Sequence, residues 1–249
     1  MIPLFLAVSC TAQASESAFD HSHAALGTFL AGAVSGAGVD YATLASRRAA
    51  LDDYVEQIQQ VDASGFDAPQ KLALYVNAYN AYTLQTMLDT GPPASITDLD
   101  GGKVWDTRGF VVAGEELTLN QMEHDRARKL ADGRIHAAVN CASKGCPPLP
   151  PTPMTSSNVG SHLTAGARRW ASTNAFTLTG DTIALSQIFD WYAQDFPAVP
   201  DVDIPQVEGN AENALHFLAR YVDEETKNKL LSGSLTATWQ DYDWSLNQR

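Results

Sequence analysis

PQKLALYVNAYNAYTLQTML, residues 69–88, is the most informative run in this 249-residue chain. Leu72, Leu74, Tyr75, Ala78, Tyr79, Tyr82, Leu84 and Leu88 spread apolar and aromatic side chains over nearly every face of a helix. A surface helix keeps its apolar side chains on one stripe, whereas one that is apolar all round is enclosed by other elements. The spacing therefore predicts a buried central helix. Pro69 suits its first turn, where a missing N–H has no intrahelical partner to lose, and Gly91-Pro92-Pro93 stops it.

Working outward, Leu44, Leu51, Val55 and Ile58 recur at helical spacing within residues 41–61. Residues 15–38, which include the Gly/Ala/Ser-rich stretch 32–38, read as leader and loop ahead of a globular domain over 39–249. Downstream, 110–119 predicts a hairpin, and Asn120 is placed to cap a helix to Leu130 with Glu123 as its capping-box partner. The run Ile135-His136-Ala137-Ala138-Val139 predicts a short buried strand leading into Cys141, and the proline-rich 147–153 must be extended. Helices are expected over 160–173, 187–195 (capped by Ser186) and 212–231, a second hairpin turns at Gly180-Asp181, and 239–244 reads as a packed closing strand. No internal repeat emerges. Separate helices with short hairpins give a single α+β domain: several helices around the buried central helix, with a small, mainly antiparallel sheet.

With 45% apolar and 18% charged residues, the chain is long enough for one substantial core. Its formal charge of −13 disfavours nucleic acid as a partner. The apolar start, closing on Ala12-Gln13-Ala14, resembles a signal peptide over 1–14, which implies export to a periplasmic or secreted location. An alternative is a lipoprotein signal that ends before Cys10, giving a lipid anchor; no later segment has the length of a transmembrane span.

Either processing leaves Cys141 and Cys146 as the only side-chain thiols. Cys141, entering a loop with Gly145, suits a thiolate nucleophile with backbone N–H groups converging on a developing negative charge. Its base is expected to be His124, because along an extended 135–141 the side chains of His136 and Cys141 fall on opposite faces. Glu123 precedes His124, and Asn77 and Asn80, three apart on the central helix, are candidates to orient an imidazole or donate to an oxyanion. The same asparagines also suit binding backbone groups of a neighbouring loop. The alternative for the cysteines is a Cys141–Cys146 disulfide, expected of a close pair in an oxidising compartment. Zinc held by Cys141, Cys146, His136 and His124 matches no standard ligand spacing, and the four residues between the cysteines exceed the two usual in thiol oxidoreductases. No cofactor motif stands out.

The motifs Tyr75-Val76-Asn77-Ala78-Tyr79-Asn80-Ala81-Tyr82, Glu123-His124, the run from Arg134 through Cys141 to Leu149, Ile188-Phe189-x-Trp191-Tyr192-x-x-Asp195-Phe196 and the terminal Tyr242-Asp243-Trp244-Ser245-Leu246-Asn247 stand here in order. Together they resemble the domain-of-unknown-function family 547 over residues 72–247. Related domains occur in exported bacterial proteins and in plant proteins with signalling-type modules. The resemblance implies one site built from Asn77, Asn80, Glu123, His124, His136 and the Cys141–Pro148 segment, in which Asn140 and Ser143 count as binding or orienting groups. The expected function is a thiol-dependent hydrolase or acyltransferase acting on amide or thioester bonds, with Cys141, His124 and Glu123 as its machinery. The alternative is a non-catalytic module for a peptide, protein or small-molecule ligand, its loop shaped by the disulfide and its proline run presenting a binding edge.

Overall fold

Asp67 starts the central helix. Its carboxylate accepts the Gln70 N–H at 2.8 Å while the Gln70 side chain accepts the Asp67 N–H at 2.9 Å, a reciprocal cap ahead of Pro69. The computed structural model describes residues 19–198 and 204–249; the leader expected at 1–14, with Cys10, lies outside them. In chain order the elements are α1 (Ala24–Leu30), β1 (Val34–Ser35), β2 (Gly38–Val39), α2 (Tyr41–Ser46), α3 (Arg48–Gln60), α4 (Ala68–Thr90), α5 (Val104–Thr107), β3 (Phe110–Val112) and β4 (Glu115–Leu117). After these come α6 (Val159–Ala171), β5 (Phe176–Thr179), β6 (Thr182–Leu185), α7 (Ile188–Trp191), α8 (Gly209–Leu218), α9 (Glu224–Leu230) and β7 (Thr236–Trp239).

The architecture is α+β. From Leu72 to Met87, α4 is buried on almost every face. Around it α1, α3 and the β3–β4 hairpin form a first apolar cluster that includes Phe29, Tyr54, Leu74 and Leu84. A second cluster is built on Trp170, Phe189, Phe196 and Phe217, with the Trp170 and Phe189 rings stacked at 4.5 Å. The largest sheet has the order β5-β6-β7, antiparallel between β5 and β6 and parallel between β6 and β7. No helix among the described residues is long and apolar enough to cross a membrane.

Several local expectations are corrected. Residues 19–38 are not a loose leader: Leu26, Phe29, Leu30 and Val34 belong to the first core cluster, and His23 is buried against Tyr54. The helix expected over 41–61 is two, broken at Arg47, and the one expected over 212–231 is likewise split before Asp223, which caps α9. Only Thr236–Trp239 forms the closing strand, and Trp244 beyond it is exposed.

Two further corrections bear on the site. Thr118, not Asn120, caps the segment after β4: its hydroxyl accepts the Gln121 N–H at 3.2 Å and Gln121 reaches back to the Thr118 N–H at 2.9 Å. Shifting the capping box upstream frees the Glu123 side chain, and the segment winds as a π-helix, Gln121–Arg126. The strand expected around 135–139 is instead a 3-10 turn, Gly133–Ala137, capped by Asp132. Apolar periodicity over five residues does not separate a short buried turn from a strand, and the Asp132 cap on the Arg134 N–H selects the turn.

Candidate active site

The Cys141 loop is held from three directions. Asn80 on α4 donates to Ala138 O at 2.8 Å and accepts the Asn140 N–H at 2.9 Å, while Asn77 makes the same paired contact with Met154 at 2.7 and 2.9 Å. These asparagines therefore clamp backbone; they do not orient an imidazole or face an oxyanion. Asn140 donates to Pro147 O and accepts from the Ala142 N–H and from Asn247 Nδ2. The C-terminal segment completes the frame, with Lys144 N–H to Ser245 O and Gly145 N–H to Asp243 O, both at 2.8 Å, and Asn247 N–H to Ala142 O at 3.0 Å. Asn247 and Arg249 also bond Val39, tying β2 to this loop.

This frame corrects one expectation. The loop N–H groups do not converge on a vacant anion position, because those of Ala142, Lys144, Gly145 and Cys146 are bonded to oxygens of the frame or the loop itself. The frame also holds Ala142 at φ 62, a left-handed conformation that a non-glycine residue adopts only when its surroundings impose it. Gly145 is required by close approach: a Cβ there would lie 2.9 Å from the Tyr242 ring.

Both cysteines are free thiols. Cys141 is half-buried, and Cys146 is buried with its sulfur accepting the Cys141 N–H at 3.0 Å. Ser143 Oγ lies 3.2 Å and Tyr242 Oη 3.3 Å from Cys141 Sγ, and Ser143 also donates to Tyr242 at 3.0 Å. The hydrogen bond from Cys146 is the main influence on Cys141; it works against burial and is reinforced by Ser143 and Tyr242, bringing the thiol from 9.0 down to about 7. Burial pushes Cys146 the other way, so it stays protonated and serves as the donor. Cys141 is the thiolate of the pair.

The structure pairs this thiol with a different histidine from the one expected. His124 turns away: its Nδ1 lies 2.7 Å from an Arg128 guanidinium nitrogen. Arginine only donates, so His124 Nδ1 accepts and its ring proton sits on Nε2, leaving no free lone pair for a base. His136 lines the same cavity as Cys141, because the 3-10 turn has replaced the strand whose alternation separated them. Its Nε2 lies 2.7 Å from Asp195 Oδ2, and Arg128 Nε donates to the same oxygen at 2.7 Å. With the proton on Nε2 facing Asp195, Nδ1 carries the lone pair. Burial alone would raise the Asp195 carboxyl, but the bonds from His136 and Arg128 outweigh it and hold it at about 2. Gly133 admits the Asp195 segment, since a Cβ there would stand 2.5 Å from Asp195 O. Tyr192 stacks on the imidazole at 4.3 Å.

Glu123, Cys141, His136, Cys146 and Tyr242 thus share the wall of one cavity of about 180 Å³, at the seam between the two core clusters, with Trp105, Trp191 and Trp244 at its rim. Glu123 Oε1 stands 3.7 Å from His136 Nδ1. A second cavity, of about 220 Å³, lies behind the loop and shares Cys146 as a wall. Among the described residues no three His, Cys, Asp or Glu side chains converge as metal ligands. Asp195 and Tyr242 were not among the expected site residues, although both stand in motifs that carried the family resemblance.

The family model described as "Protein of unknown function, DUF547" matches residues 63–171, and over that segment the chain resembles the family. The match takes in α4, Glu123, His136 and both cysteines, and stops short of Asp195 and Tyr242. No curated protein and no solved structure matches the chain.

Proposed function

We propose that this chain is a thiol-dependent hydrolase or acyltransferase acting on amide or thioester bonds, with Cys141 as nucleophile and His136 as base. The observation that carries this reading is a thiol of lowered pKa sharing a cavity with an imidazole whose far nitrogen is held by an ionised carboxylate. His136 Nδ1 takes the Cys141 proton. The thiolate attacks the substrate carbonyl carbon, forming a C–S bond, and the carbonyl electron pair moves onto oxygen. Collapse of that oxyanion breaks the bond to the leaving nitrogen or sulfur, which receives the proton from His136. Water, or a second nucleophile in a transferase, then gives its proton to His136 and cleaves the acyl-thioester, restoring Cys141. Asp195 keeps the imidazole in the required tautomer throughout. The Tyr242 hydroxyl, beside the sulfur, is the donor best situated for the oxyanion. The signal-like start of the chain supports an exported site of action.

The test is turnover of model thioesters and anilides, with thiol titration and non-reducing mass spectrometry of the 141–146 region. Cys141→Ala and His136→Gln are each expected to lower turnover by about a thousandfold or more, with Cys141 recovered as a free, fast-labelling thiol. Unchanged turnover in both variants, with a quantitative Cys141–Cys146 disulfide, would sink this reading in favour of a binding module.

A further inference from the structure

The cavity beside Cys141 holds negative charge and no resident positive charge. Glu123 is only 6% exposed, yet among the described residues no hydrogen bond reaches its carboxylate, and His136 Nδ1 stands 3.7 Å from Oε1. That nitrogen is the lone-pair side of a ring whose proton faces Asp195. A carboxylate taken out of water demands a partner, and none of the cavity's walls supplies a lysine or arginine. Its surroundings are aromatic instead. Tyr79 lies in the buried wall, and Trp191 and Trp244, 45% and 37% exposed, stack at 5.9 Å at the rim with Trp105 beside them. Aromatic faces leading to a buried carboxylate are the arrangement that accepts an ammonium group, through the negative ring faces and then a direct ion pair. An anionic or purely apolar substrate would leave Glu123 without a cationic partner.

We infer that the substrate of Cys141 is a cationic acyl compound, whose protonated amine or quaternary ammonium seats against Glu123 and the tryptophan rim while its carbonyl meets the sulfur. The inference rests on the proposed reading of Cys141 as a nucleophile. It also assigns Glu123 to substrate recognition, the imidazole being held by Asp195 instead.

The experiment compares labelling of Cys141 by three methanethiosulfonates that share a warhead: a trimethylammonium, a neutral methyl and a sulfonate reagent. Rates in the folded protein are divided by those in the denatured chain, at about 0.5 M salt, where long-range attraction by the net charge is screened to a few ångströms. The cationic reagent should keep an advantage of about tenfold over the neutral one, and Glu123→Gln should remove most of it. On the unaltered protein, tetramethylammonium chloride should slow labelling by the neutral reagent where equimolar sodium chloride does not, a readout that needs no folded variant. Equal rates for the three reagents on a fast thiol, or no protection by tetramethylammonium, would overturn the ammonium assignment and leave the nucleophile standing. A Cys141 that reacts slowly with all three below pH 8 would remove both.

Discussion

At Cys141, the side chains of Cys146, Ser143 and Tyr242 and the Ser143 backbone N–H gather round one sulfur, and each side chain is separable by substitution. Tyr242→Phe keeps the ring that packs on Gly145 but removes the hydroxyl 3.3 Å from Sγ. The midpoint of iodoacetamide labelling against pH should lie near 7 in the unaltered chain and move upward in the variant. An unmoved midpoint would show that Cys146 and Ser143 suffice. The cysteine itself was legible in the sequence, since the segment around it was the one distinctive chemical site. Its base was not. The choice of His124 followed from a strand alternation that a 3-10 turn does not obey, and nothing in the local sequence reports that Asp195, 59 positions away, holds His136.

At the scale of elements, α4 is both core and scaffold for the site. Asn80 sits one face away from side chains that only fill space, and it satisfies two buried backbone groups on the turn that leads into Cys141. Asn80→Ala should cost about 2–4 kcal/mol, because Ala138 O and the Asn140 N–H both lose their partner in a dry interior. Chemical denaturation measures the loss, and the Cys141 labelling midpoint of the folded fraction should rise as the loop slackens. A stability loss with an unchanged midpoint would mean that the C-terminal segment alone sets the thiol's surroundings. The helix was readable because an all-round apolar pattern has one explanation. The polar exceptions on it were ambiguous, since a buried asparagine serves a backbone clamp as readily as a reaction. Capping chemistry misled for a related reason: Thr118-x-x-Gln121 and Asn120-x-x-Glu123 overlap, and only packing decides which one forms.

Over the whole molecule, acid sensitivity should come in part from two histidines outside the walls of the Cys141 cavity, His23 and His162, which burial lowers alike to about 4. Burial lowers His23 from 6.5 to about 4, because its cation would be stranded beside Tyr54 in the apolar core. The unfolded chain therefore binds the extra proton first. The histidine exacts no penalty above pH 6.5, and stability falls as pH drops from 6.5 through 4, by about 3 kcal/mol over that window. Thermal melts across that range should show the decline, and His23→Gln, which carries no proton to gain, should lessen it while leaving the share due to His162; a decline of equal size in the variant would place the acid response elsewhere. This part of the core was hidden in the sequence, where 15–38 reads as leader because the Gly/Ala/Ser-rich stretch 32–38 outweighs Leu26, Phe29 and Leu30 just before it. The same region has a bearing on the Cys141 loop. Val39 grips Asn247 and Arg249, and Asn247 grips Asn140, so the loop's position depends on residues 247–249. Deleting residues 247–249 would slacken the loop around a thiol more than a hundred positions upstream while leaving every wall of its cavity in place, so a change in that thiol's reactivity need not mean a change in the residues that surround it.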